Sequence, residues 1–110
     1  MRDDKKKRLE ARGWKVGGVK DLLGLSDDEV AYIELKLKLG RSVKVKRRER
    51  RLTQTALARK ICSSQSRVAK MEAGDPTVSL DLLIRSLLAL GASNRELAKI
   101  ISSRLVAETT

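Results

Sequence analysis

Between Gln54 and Met71 the chain reads QTALARKICSSQSRVAKM, and its polar residues are of the kinds that pair with flat, hydrogen-bonding edges. Lys70 can donate to the acceptors of guanine, Gln65 can donate and accept across adenine, and Ser66 can approach either kind of edge. Arg67 stands on the flank of that set, where a phosphate is the more natural partner; such a contact fixes register and reads no sequence. Chemistry of this sort needs a rigid support that points these side chains outward together.

The spacing of the apolar residues supplies such a support. Leu57 and Ile61 lie four apart and share one helix face, and Val68 and Met71 lie three apart on a second helix. Ala58 is the small residue that two helices crossing at roughly 90 to 120° over a tight turn require at their contact. With Val68 and Met71 turned inward, the opposite arc is centred on Ser66 and takes in Gln65, Ala69 and Lys70. Small helical bundles that bind nothing can show the same spacing, so composition has to decide between the two.

The chain has 110 residues, enough for one small core, with 25 Lys and Arg against 14 Asp and Glu and a net charge of +11. That balance favours a polyanion, either nucleic acid or an anionic membrane surface. No apolar run approaches the roughly 18 residues of a membrane span, and no signal peptide follows the basic start, so a soluble, cytoplasmic protein with no membrane partner is expected. Cys62 is the only cysteine and histidine is absent. An internal disulfide and a cysteine or histidine zinc site are thereby excluded, and a nucleophilic Cys62 would lack a base. A buried or half-buried place in the turn is expected for it instead. Asp27, Asp28 and Glu29 suit a helix start, Asp3 and Asp4 fall in a polar tail, and Gly17 and Gly18 alone make no phosphate loop. No catalysis, metal or cofactor is expected.

Along the chain, residues 1–13 hold Lys5, Lys6, Lys7, Arg8 and Arg12 around a single sizeable apolar group, Leu9, and are expected to form a mobile basic arm. Residues 14–26 read as a lead-in with a short helix near Val19 to Leu23, stopped by Gly24. Ser26 and Glu29 form a capping box. After it, Ile33, Leu35, Leu37 and Leu39 alternate with charged residues as in a strand, yet they also fit helical steps. An isolated hairpin would be marginal, so a helix from about Asp27 to Arg50 is expected, with Gly40 a soft spot. The cations Arg41, Lys44, Lys46, Arg47, Arg48, Arg50 and Arg51 at its end exceed what a helix C-terminus needs and point to phosphate contact. Thr53, Ser64, Ser79 and Ser93 each read as N-caps, with Ser93 and Glu96 a second capping box. Gly74 with Pro76, and Gly91, read as stops. Leu80 to Leu90 is core, and the stripe Leu97, Ile100, Ile101 and Leu105 is left partly uncovered in so small a bundle, which suits pairing with a second copy.

From Leu52 to Gly91, through LTQTALARKI, SSQSRVAKMEAG and the leucine-rich helix beyond the Pro, the chain resembles the Xre family of lambda-repressor-like DNA-binding domains. The resemblance implies an all-α, lambda-repressor-like five-helix bundle over residues 27–105, with a helix-turn-helix at 53–72 and an N-terminal extension. It implies that Gln54 braces a phosphate and that Ser64, Gln65, Ser66 and Lys70 face base edges. Ala69 lies on the same arc, and Arg67, Lys46, Arg47, Arg48, Arg50 and Arg51 are the remaining candidates for phosphate. Glycine is usual in that family's turn where this chain has Cys62, which predicts a non-glycine residue strained by about 1 kcal/mol or more. The lead-in WKVGGVKDLLGLSDDEVAYIELK is similar to that of HigA-type antitoxins. That likeness implies a homodimer on a pseudo-palindromic double-stranded operator and a RelE-like ribonuclease toxin as partner; an Xre-type regulator without a toxin is the alternative.

Overall fold

The computed structural model describes residues 24–104, and the chain divides into two units, 1–33 and 34–110. The basic arm, Trp14, the short helix near Val19 to Leu23 and Leu105 lie outside the described residues. Five helices are present among the described residues: α1 (Asp27–Glu49), α2 (Gln54–Lys60), α3 (Gln65–Ala73), α4 (Leu80–Ala89) and α5 (Asn94–Ser102). None of them is long and apolar enough to cross a membrane.

In the first unit, Ser26 opens α1 by a reciprocal cap. Its hydroxyl accepts from the Glu29 N–H at 3.3 Å, and its own N–H donates to the Glu29 carboxylate at 2.8 Å. Beyond residue 33, in the second unit, the helix continues through the alternating stretch: Leu39 and Val43, four apart, are fully buried, whereas Val45, which a strand would place on the same face, is exposed.

In the second unit, the four remaining helices each begin on a hydroxyl that accepts a backbone N–H three residues on. These are Thr53 from Ala56, Ser64 from Arg67, Ser79 from Leu82, and Ser93 from Glu96, all as the sequence predicts. Helix ends are equally uniform. After α1, α2, α3 and α4 a residue at positive φ bonds back three residues while the next bonds back five, the Schellman closure that satisfies the last carbonyls. Gly74 and Gly91 fill that position after α3 and α4, whereas Arg51 at φ 58° and Cys62 at φ 55° fill it after α1 and α2. The left-handed turn is therefore kept at Cys62 without a glycine, at a strain of about 1 to 2 kcal/mol for a residue with a Cβ. Its side chain is exposed, not buried or half-buried as expected, because a residue beyond the last helical turn projects away from the crossing.

The core is wholly aliphatic apart from Met71. Leu57 and Ala58 of α2 and its cap Ile61 lie in one buried cluster with Val68 and Met71 of α3, which Leu39, Val43, Leu83 and Leu87 join. Each Val, Leu, Ile or Met among them contributes about 1.5 to 3 kcal/mol on leaving water. One polar residue joins them: Ser86, fully buried, donates to the Leu82 carbonyl at 2.7 Å and lies 3.4 Å from the Met71 sulfur, so its hydroxyl is satisfied.

Gly40 is not a soft spot but a contact. A Cβ there would collide with the Met71 carbonyl oxygen, so glycine is what lets α1 lie directly against the backbone of α3. Leu37 packs on Gly74 and Lys36 donates to the Pro76 carbonyl at 2.7 Å, extending the same face of α1 along the turn that follows α3. On the other side, Lys38 donates to the Ile101 and Ser103 carbonyls at 2.8 and 2.9 Å and Lys46 pairs with Glu96 at 2.8 Å, which sets α5 antiparallel to α1.

Replacing Gly40 with alanine improves helix propensity by about 1 kcal/mol but overpacks a rigid backbone contact at about 1 to 3 kcal/mol, and the second effect wins because a carbonyl cannot rotate aside. Urea unfolding should show a lower midpoint for Gly40→Ala with an unchanged slope. An unchanged or higher midpoint would mean that α1 does not press on α3.

Candidate nucleic-acid interface

The outward arc of α3 is composed as its sequence requires. Val68 and Met71 are buried, while Ser64, Gln65, Ser66, Arg67 and Lys70 are exposed and Ala69 is half-buried. Gln65, Ser66 and Lys70 thus share the side of the helix opposite the core, with Arg67 on its flank and Ser64 just before its first turn. Ser64 has a second duty, since its hydroxyl caps the helix, accepting from the Arg67 N–H at 3.2 Å, and lies 3.3 Å from the Ser66 hydroxyl.

Behind this arc runs a chain of polar contacts. Arg47, from the last turn of α1, donates from Nε and Nη2 to the two carboxylate oxygens of Glu72 at 2.6 and 2.9 Å, and from Nη1 to the Leu52 carbonyl at 2.8 Å. Glu72 also accepts from Gln54 Nε2 at 3.1 Å, and Gln54 Oε1 accepts from Gln65 Nε2 at 2.7 Å. Four side chains from three helices therefore connect the interior of the bundle to the first residue of α3.

The ion pair at the root of this chain is nearly dry, with side-chain exposures of 11 % for Arg47 and 4 % for Glu72. Burial pushes the Glu72 carboxyl up, but hydrogen bonds from Arg47 and Gln54 and the charges of Arg47 and Lys44 together outweigh it and hold the group below its ordinary value. The hydrogen bond to Glu72 correspondingly raises Arg47. Both groups are charged at neutral pH.

This arrangement changes the reading of the basic cluster. Arg47, expected to meet phosphate, has its whole fork turned inward, and Lys46 is tied to Glu96. Arg50, though exposed, lays its guanidinium over Gly91 at the end of α4, where the helix carbonyls favour a cation. Arg48 and Arg51 are exposed at the end of α1 and just beyond it. Gln54, half-buried at the start of α2, keeps one N–H beyond the one that Glu72 receives. Sequence reasoning missed Glu72: it sits 25 residues from its partner, at a helix end where an acid is unfavourable alone. That misplacement was the available signal that a buried cation must stand opposite.

Arg67 and Lys70 also line a cleft of about 180 Å³ with Thr77, Val78, Ser79 and Leu82, which places two cations beside the N-terminus of α4. Among the described residues no group of three or more acidic, cysteine or histidine side chains is arranged to hold a metal.

Residues 43–97 match a family described as helix-turn-helix. No curated protein and no solved structure matches the chain.

Arg47→Ala would leave Glu72 charged and unpartnered and should lower folding stability by about 3 to 5 kcal/mol, whereas Arg47→Met combined with Glu72→Leu should recover most of that loss. Denaturant titration of the three proteins decides it; equal stability of Arg47→Ala and the parent would remove the pair from the fold. Because the folded carboxyl of Glu72 lies below its ordinary value of 4.5, its contribution is complete above that pH and disappears as the pH falls through the folded value. The midpoint of thermal unfolding should therefore drop on acidification below about pH 4.5, and Glu72→Gln should blunt that drop.

Proposed function

This chain belongs to the Xre-like helix-turn-helix family, whose domain is a DNA-binding regulatory one, and we propose that it is a sequence-specific repressor that lays α3 in the major groove of its own operator. The observation that carries this reading is the outward arc of α3, polar and exposed at Gln65, Ser66 and Lys70 and flanked by the exposed Ser64 and Arg67, on a helix whose reverse face is core. Gln65 is set to pair with adenine and Lys70 with guanine, while the two serines approach either base type and Ala69 leaves room between them. Arg67, Arg48, Arg51 and the spare N–H of Gln54 are the phosphate-contacting set, with Arg50 at its edge. Lys46 and Arg47 serve the bundle instead.

The apolar residues that α5 leaves partly uncovered support a homodimer. Leu97 and Ile100 pack against the core but stay half-buried, and Ile101 is 46 % exposed. Two copies would hold their α3 helices about 34 to 36 Å apart and so read a pseudo-palindrome with half-sites one DNA turn apart. The lead-in similar to that of HigA-type antitoxins supports a cytoplasmic, autoregulating antitoxin that also neutralises a RelE-like ribonuclease. The DNA-reading residues are common to that role and to a regulator without a toxin.

Gel shift on the DNA upstream of the chain's own gene, with and without the neighbouring gene product, tests both roles; a shift altered by that product supports the antitoxin, and no shift at all refutes the repressor. Gln65→Ala or Lys70→Ala should weaken cognate binding by about 1 to 3 kcal/mol with little change on random duplex. Arg48→Ala or Arg51→Ala should weaken both DNAs alike and reduce the salt slope by about one. Equal losses on both DNAs from Gln65→Ala would put base reading elsewhere.

A further inference from the structure

Resting on the homodimer reading, we propose that the seam between the two copies is the groove between α1 and α5, with α1 lying antiparallel to its own copy and Val45 on the two-fold axis.

Val45 is the most exposed large apolar side chain among the described residues, at 55 %, although it lies only two residues from the fully buried Val43. With Ile100 of α5 it lines a groove of about 270 Å³ that also takes in Arg41 and Glu49. Arg41, Val45 and Glu49 are spaced by four, so they form one row along α1, and all three are exposed. A row with a cation at one end, an apolar residue at the centre and an acid at the other is complementary to itself when reversed. In a closed pair, if residue i meets residue j, then j meets i. A two-fold axis at Val45 therefore sets Val45 against its own copy and Arg41 of each chain against Glu49 of the other. A parallel arrangement would oppose arginine to arginine and acid to acid, so the charges select the antiparallel one. A guanidinium carries five N–H groups and can serve acceptors in both chains at once.

The same axis places the rest of the bundle consistently. Viewed down α1 at about 100° per residue, Gly40 and Arg47, which meet α3, lie on one side of the line through Val45. Lys38 and Lys46, which reach α5, lie on the other side. A two-fold axis perpendicular to α1 and to that line keeps each set on its own side. Both α3 helices thus emerge on one face of the pair, where a single duplex can meet them, and both α5 helices on the opposite face. A seam centred on one valine and one isoleucine from each copy is small beside the roughly 1,200 Å² that stable pairs bury, so the association is weak in free solution and is best caught by a covalent trap.

Val45→Cys in a Cys62→Ser background puts the chain's one thiol on the axis, where facing helices bring the two Cβ atoms within reach of a disulfide. Mild oxidation of the full chain at millimolar concentration should form a covalent dimer at least about 10-fold faster than in the parent, whose Cys62 thiol reports chance collision. Arg41→Glu and Glu49→Arg, each added to that protein, should slow trapping by about 5-fold or more, because each turns two attractions per pair into two repulsions. Combining them should restore the rate to within about 2-fold. Net charge alone predicts otherwise: in a protein of +11, Arg41→Glu would lessen the repulsion between copies and speed trapping. The altered side chains at 41, 45 and 49 are exposed, so each variant should keep the parent's helical circular dichroism. A dimer in sedimentation that does not trap at Val45, or trapping indifferent to the charge exchanges, would overturn this seam and leave the homodimer to another face. Faster trapping with Arg41→Glu would overturn it equally. A chain that neither sediments as a dimer at that concentration nor traps would refute the homodimer and this inference together, while the gel shift judges DNA binding separately.

Discussion

The ion pair between Arg47 and Glu72 is the constraint on which the rest of the domain depends. Through it and the bonds it carries, α1, the connection at Leu52, α2 and α3 are all referred to one carboxylate. Its value is geometric more than energetic, since a dry ion pair commonly breaks even against apolar residues of the same volume. Two aliphatic side chains would hold α1 against α3 as firmly. They would not orient the Gln54 amide at the start of α2, because dispersion has no direction and a forked hydrogen bond does. Gly40 and Arg47, seven residues apart on α1, press respectively on the backbone and the last turn of α3, so α1 acts as a backstop along the inner side of the helix that faces outward.

Charge in this chain has two separate tasks, and position along α1 separates them. Lys36, Lys38, Lys46 and Arg47 each reach a carbonyl or carboxylate of the bundle. Arg48 and Arg51, at the end of the helix and just past it, are exposed beside the helix pair. An excess of cations therefore does not translate one for one into a surface field. Part of it neutralises helix C-termini and acids that the fold itself has buried.

Local features of the architecture were legible in the sequence, and long-range ones were not. Hydroxyl caps at Thr53, Ser64, Ser79 and Ser93, the box at Ser26 and Glu29, and the inward pairs Leu57 with Ile61 and Val68 with Met71 depend on neighbours within four residues, and the structure contains them all. The outward arc of α3 follows from the same periodicity. Arg47 could not be separated from Arg48 by composition, because what distinguishes them is an acid 25 residues away. Gly40 likewise reads as a weak point in an isolated helix and becomes a close-packing requirement only when the Met71 carbonyl arrives. Ser86 was absorbed into a leucine-rich run, where only the fold reveals the Leu82 carbonyl that satisfies it. The apolar character of Cys62 predicts an inward side chain, but the closure of α2 turns it out.

An outward thiol at this turn is open to selective chemistry. The chain carries a single thiol, and it is held in solvent two residues before the cap of α3. A maleimide fluorophore or nitroxide would attach at one place only, with no cysteine to be removed first, and would ride on the hinge of the helix pair without replacing any side chain of the outward arc. The molecule thus comes with its own reporter position, from which the approach of a ligand to α3 can be followed in solution.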